Sequence, residues 1–154
     1  MKKKIELFTI GFAQKKAQVF FELLKQNKIK TLIDIRQSNT NIYAGFTVKD
    51  NLRYFLQEIC QIEYVENKLF APTRAIRNYY HQDHNWENYS KAYIKLIKER
   101  KAVDSLSEQL LDKAVLLCSE PSADFCHRRL AAEQIAEYFS NGSFVNDALL
   151  LKNL

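Results

Sequence analysis

Apolar and polar positions along this chain follow two different periods. Short apolar runs that suit strands occur at Ile5–Ile10, which ends at Gly11, at Thr31–Ile35, at Ile62–Val65 and at Ala114–Cys118. The last of these has no polar break at all, which predicts a central strand covered on both faces. Between the runs, apolar residues recur at three and four. Residues 14–26 carry Ala17, Phe20, Phe21 and Leu24 and stop at Asn27, and residues 48–59 carry Leu52, Phe55, Leu56 and Ile59. Residues 86–99 place Tyr89, Tyr93, Leu96 and Ile97 on one side, and a further helix is predicted over 103–111. Residues 126–139 carry Leu130, Ala131, Ile135 and Tyr138 and close at Asn141-Gly142. Residues 67–82 show no clean period and hold Pro72, Arg74, Arg77, Tyr79, Tyr80 and His81, so they predict a long loop with a helical turn at most.

The order β-α-β-α-β-α-α-β-α predicts an α/β fold of three layers, a mostly parallel sheet with helices on both faces. The 154 residues fit a Rossmann-like single domain spanning 1–154. In open sheets of this kind ligands bind outside the carboxyl ends of the strands. The residues to weigh are therefore Thr9 and Gly11, Asp34 and Arg36, Glu66, and Cys118 with Ser119 and Glu120.

Composition narrows the classes. With 47% hydrophobic and 27% charged residues the chain can bury a core, which argues against disordered and fibrous types, and 3 Gly with 2 Pro argue against a turn-dense β-sandwich. The formal charge of +5 favours anionic partners mildly, because part of it sits in Lys2, Lys3 and Lys4, which read as a solvated tail. No apolar run approaches the ~20 residues of a membrane span, and no signal peptide is visible, so no membrane partner is expected. The 3 cysteines are odd in number and widely spaced; reduced thiols and a cytoplasmic protein are expected. A Gly-rich phosphate loop is absent, which argues against nucleoside-triphosphate and dinucleotide enzymes.

The densest chemical cluster is Leu117-Cys118-Ser119-Glu120-Pro121 followed by Phe125-Cys126-His127-Arg128-Arg129. A cysteine at the start of the last helix meets unpaired N–H groups and the positive end of the helix dipole, with His127 and Arg128 beside it, so Cys126 is expected to be an activated thiolate. The same helix end with its arginines suits an anion. Against this, Cys118 and Cys126 also suit small buried positions, and Cys60 on its apolar helix face reads as core. A metal site built from Cys118, Cys126, His127 and His81 or His84 is a rival, although no C-x2-4-C pair occurs. A phosphatase-type loop fails, since the sixth residue after each cysteine is Asp124 or Ala132 rather than arginine. Asp34 and Arg36 flank Ile35 and share one side of a strand end, where they would orient a substrate or pair with each other. Glu120 is a candidate base or a partner for Arg128.

Thr9-Ile10-Gly11, Leu32-Ile33-Asp34-Ile35-Arg36, Leu52, Leu56 and Tyr64, and above all Leu117-Cys118-Ser119-Glu120 with Cys126-His127-Arg128, resemble the bacterial and archaeal family called domain of unknown function 488. The resemblance runs through most of the chain and implies a small α/β domain in which Gly11, Asp34, Arg36, Cys118, Glu120, Cys126, His127 and Arg128 occupy the family's motif positions. It implies no activity. The chain has Phe12 where the family usually has His, and Leu69-Phe70-Ala71 where the family has a Leu-Gly-Gly turn.

The leading expectation is a possible cysteine-dependent enzyme of unknown reaction, binding a small-molecule or nucleotide-type anion at the strand ends. Cys126, His127, Cys118 and Glu120 would carry the chemistry, with Gly11, Asp34, Arg36 and Arg128 holding substrate. No metal is assigned, and the cofactor and oligomeric state stay unknown. Two alternatives remain: a nucleic-acid-binding module that stacks bases on Tyr79, Tyr80 and Trp86, and a Cys/His metal-binding protein.

Overall fold

Four of the apolar runs become strands where the sequence places them, and a fifth strand joins them. The computed structural model describes residues 5–120, 122–141 and 149–154; Lys2–Lys4, Pro121 and the Gly142 of the predicted helix stop lie outside these. The strands are β1 (Ile5–Gly11), β2 (Thr31–Asp34), β3 (Glu63–Glu66), β4 (Ala114–Cys118) and β5 (Leu149–Asn153). Every pairing is parallel and the order is β3-β2-β4-β1-β5. β5 was not expected: its three leucines are too short a run to stand out after the polar residues before them.

The helices are α1 (Ala17–Gln26), α2 (Lys49–Phe55), α3 (Arg74–Asp83), α4 (Trp86–Glu99), α5 (Glu108–Leu111) and α6 (His127–Asn141). α2 continues through a π turn, Leu56–Cys60. α3 corrects the loop expected over 67–82. The Thr73 hydroxyl accepts from the Ile76 N–H and starts it, yet none of its residues is fully buried and only Ile76 and Tyr80 lean on the core, which leaves a short apolar stripe to read. The helix expected over 103–111 is instead a 3-10 turn, Val103–Ser105, and the single turn α5, which Ser107 caps.

The strand residues sort by parity onto two cores. Phe8, Ile10, Leu32, Val115 and Leu117 meet Phe20, Phe21 and Leu24 of α1 and Leu52 of α2. Leu7, Ile33, Ala114 and Leu116 face the other way, against Tyr89, Tyr93 and Ile97 of α4 and Leu130, Ala131 and Ile135 of α6. Each fully buried Leu, Ile or Phe adds about 1.5–3 kcal/mol relative to exposure, and β4 spends every residue this way. Among the described residues no helix is long and apolar enough to cross a membrane.

The layering follows from chain direction. From β1 the chain steps toward β3 through α1 and α2 on one face; from β3 it returns through α3, α4 and α5, and passes to β5 through α6, on the other. A crossover of fixed hand requires this change of face when the direction reverses. The segments leaving the neighbouring strands β1 and β4 therefore part to opposite faces, which opens a crevice at their carboxyl ends.

Candidate active site

The crevice is built where β1 and β4 end. The two chains stay paired one step past the sheet: the Phe12 N–H donates to the Cys118 carbonyl at 3.2 Å and the Ala13 N–H to the Ser119 carbonyl at 2.8 Å. The loop after Ser119 then crosses directly over Gly11. A Cβ on Gly11 would lie 1.6 Å from the Glu120 carbonyl oxygen and 2.7 Å from Arg128 Nη1, so only glycine permits the crossing. Gly11 thus shapes the loop rather than lining the cleft.

That loop delivers Cys126 to the residue just before α6, beside the end of β4. Cys126 Sγ lies 2.9 Å from Cys118 Sγ, and His127 Nδ1 lies 3.5 Å from Cys118 Sγ; all three residues are buried. The other ring nitrogen of His127, Nε2, is 2.9 Å from the Ile35 carbonyl. A carbonyl only accepts, so Nε2 carries the hydrogen and Nδ1 is the nitrogen left to face the thiol. The ring also stands edge-on to Tyr93 at 5.6 Å, which fixes its plane.

The two thiols are shifted in opposite directions. The S–H of Cys126 donates to the Cys118 sulfur, and against the penalty of burial the His127 ring and the Glu120 backbone N–H add further support, holding Cys118 well below the ordinary thiol range. Cys126 moves the other way, because its hydrogen bond to Cys118 and its burial both keep it protonated. Burial opposes a charge on His127, but the adjacent Cys118 thiolate outweighs it and raises the imidazole. The thiolate expected at Cys126 thus has a competitor in Cys118, the sulfur next to it. Cys126 has the helix end, whereas Cys118 collects more donors.

Both arginines expected to hold substrate are engaged inside the protein. Arg36 grips Asp34 with Nε to Oδ1 at 2.9 Å and Nη2 to Oδ2 at 2.8 Å, and its Nη1 and Nη2 reach the hydroxyl and carbonyl of Thr47 at 3.3 and 2.8 Å. Asp34 is fully buried and also accepts from Tyr64 Oη at 2.5 Å and Asn39 Nδ2 at 3.3 Å. Burial alone would raise its carboxyl; the Arg36 bonds and charge, with Tyr64, hold it below the usual range. Tyr64 is pushed up by burial and by the same bond. Arg128, also fully buried, donates to the Glu120 carbonyl, to Cys126 Sγ at 3.8 Å and to Asn153 Oδ1 at 3.3 Å. It tethers the loop, α6 and β5 behind the sulfurs.

A cleft of about 390 Å³ opens over the cluster, within the range of small-molecule sites. Cys118, Cys126 and His127 line it, with Glu120, Arg77 and a set of aromatic rings. The Arg36 edge that reaches it lies over the Phe12 ring, 5.6 Å from its centroid, so Phe12 offers an apolar ring where a histidine would have offered a proton carrier. Asp34, Gly11 and Arg128 do not line the cleft. Glu120 is exposed, and its carboxylate has no hydrogen-bonding or ion-pair partner among the described residues. Arg77 was passed over because its segment reads as loop; it projects from α3 and donates to the Gln37 side chain at the cleft wall. Of the rings read as a stacking surface, Tyr80 and Trp86 pack against the core and Tyr79 alone is largely exposed. Cys60 is half-buried against the core of α1 and α2, and burial raises its thiol.

The donor atoms of Cys118, Cys126 and His127 lie within 4.8 Å of one another, the one such grouping among the described residues. The family described as domain of unknown function DUF488 matches residues 16–135. The chain belongs to that family. No curated protein and no solved structure matches the chain. The match takes in Cys118, Glu120, Cys126, His127 and Arg128, while Gly11 and Asn153, which hold the cluster's loop from below, fall outside it.

Proposed function

We propose that this DUF488 protein is a cysteine-dependent enzyme acting on a small anionic substrate. Its nucleophile is Cys118, and the observation that carries the reading is the Cys118 sulfur lying 2.9 Å from Cys126 Sγ and 3.5 Å from His127 Nδ1 on the floor of the cleft. A thiolate is the reactive form of cysteine, and here a thiol donor and an imidazolium stabilise it in place. In the reaction, Cys118 attacks an electrophilic centre and the leaving group takes a proton from His127 Nδ1, while Nε2 stays on the Ile35 carbonyl. Glu120, on the same wall and open to solvent, accepts the proton of the water that releases the product. Asp34 and Arg36 act through position: their pair holds the strand end and the turn carrying Thr47.

A second reading, a metal ion on Cys118, Cys126 and His127, is favoured by the convergence of the three donor atoms and by the Nε2–H bond to Ile35, which would orient a ligating histidine. Two thiolates on a tetrahedral zinc stand about 3.8 Å apart, given Zn–S bonds near 2.3 Å, so a metal would have to part the two sulfurs. Alkylation of each cysteine followed by peptide mass spectrometry, across pH and with and without chelator, separates the two readings. The enzyme reading expects Cys118 to react below the ordinary thiol range and Cys126 to lag, with no effect of chelator. Protection of both sulfurs that chelator removes would transfer the site to a metal, and a Cys118 that titrates as an ordinary thiol would remove both readings.

A further inference from the structure

The upper wall of the cleft is aromatic in a way that the sulfur chemistry does not use. Tyr43 is 91% exposed and Phe125 is 64% exposed, and both line the opening. They come from different segments, Tyr43 from the 3-10 turn Ile42–Thr47 after β2 and Phe125 from the loop between β4 and α6. Neither placement is loose. The turn is pinned at one end by buried Asn39, which donates to Asp34 and Glu66, and at the other by Thr47, which holds Arg36. Phe125 stands edge-on to Trp86 at 5.5 Å, and Trp86 lies stacked on Tyr89 at 5.0 Å. Beneath them Phe12 and Tyr89 continue the apolar lining. Two large rings held in water at the mouth of a cleft are surface that a flat apolar partner would cover.

The charge available there is Arg77. Arg36 and Arg128 spend their guanidinium bonds within the protein, whereas Arg77 is exposed, has the neutral Gln37 side chain as its hydrogen-bond partner among the described residues, and stands close enough to oppose a charge on His127. An exposed guanidinium exchanges a neutral amide for an anion at little cost.

We propose that the ligand of this cleft is a flat aromatic ring bearing an anionic group, with the ring stacked on Tyr43 and Phe125 and the anion met by Arg77. This names the substrate class of the site proposed above and rests on that reading. Nucleotides and aromatic carboxylates share this chemistry, and the probes distinguish them. Calorimetric titration of the full chain would use adenosine 5′-monophosphate, cytidine 5′-monophosphate and indole-3-acetate, against ribose 5-phosphate and adenosine, which each lack one of the two features. Trp86, the single tryptophan, gives a second signal through Phe125.

At least one ring-bearing anion is expected to bind roughly tenfold or more tightly than both of the incomplete probes, the scale set by stacking of one ring. Tyr43→Ala and Phe125→Ala should each weaken it several-fold, and Arg77→Gln should reduce it toward the level of a ring without charge. All three side chains are exposed, so the variants should fold, which circular dichroism checks. Equal binding of ribose 5-phosphate, no binding by any ring-bearing anion, or indifference to Tyr43→Ala and Phe125→Ala would overturn the proposal. So would a single-stranded oligonucleotide that bound tenfold above its own monophosphates with a steep salt dependence, since that would make the cleft part of a polymer track. Each failure leaves the alkylation profile of Cys118 unaffected, so the ligand class and the thiol chemistry stand or fall separately.

Discussion

The ends of β2 and β4 are neighbours in the sheet and both carry ionisable residues, yet they have opposite characters. At β2, Asp34 and Arg36 spend their hydrogen-bonding capacity on each other and on Thr47, Tyr64 and Asn39, and Asp34 is sealed from solvent. At β4, Cys118 gathers donors but keeps a face on the cleft. A buried ion pair whose bonds are all satisfied is a fixture; a charge stabilised by groups that can also give up a proton is a reagent. The difference lies in whether any bonding capacity still faces the cavity.

The largest expected effect strikes the fixture. Asp34→Ala would leave Arg36 buried without its carboxylate, which costs about 3–5 kcal/mol in stability by urea unfolding. The lowered carboxyl of Asp34 gives the sign with pH: its stabilisation is present above the ordinary carboxylate range and is lost as pH falls through its lowered native value. The wild type should therefore lose stability on acidification, and Asp34→Asn should flatten that loss. A stable Asp34→Ala protein would break the comparison.

Next comes the reagent. Cys126→Ala removes a hydrogen bond to a charged sulfur, worth about 1.5–3 kcal/mol, so the alkylation midpoint of Cys118 should rise by about one to two pH units while the melting temperature moves less than in Asp34→Ala. An unchanged midpoint would mean that Cys118 does not carry the charge. The smallest effect belongs to Lys49→Met. Its 3.3 Å pair with Glu66 is partly exposed on both sides, and its loss should cost under about 1 kcal/mol in the same unfolding assay and leave the Cys118 profile in place.

What the sequence revealed divides along a similar line. β4 was legible because it is an unbroken apolar run, and α4 because its apolar residues hold a helix period along the element. α3 was not, since its core-facing side amounts to the half-buried Ile76 and Tyr80, too few to mark a period among charged and exposed residues. Cys118, Cys126 and His127 were legible as a group because strand-end logic brings them together. The hydrogen-bond order within the group was not, because the Ile35 carbonyl that engages His127 Nε2 comes from the end of β2, 92 positions away in the chain. The internal use of Arg36 and Arg128 was hidden for the same reason: Thr47, Glu120 and Asn153 become their partners only in the folded chain.

Asn153 accepts from Arg128 and, at 2.6 Å, from the Thr9 hydroxyl, and β5 pairs residues 5–9 with 149–153. These contacts join distant parts of the described chain, so they form only after every residue from Thr9 to Asn153 has been made. A nascent chain that has released Cys118 and Cys126 but not Asn153 holds both thiols without the strand that braces Arg128 behind them. Assembly of the sulfur cluster is thereby tied to the completion of synthesis through β5, and a fragment ending before that strand should expose its cysteines to indiscriminate oxidation.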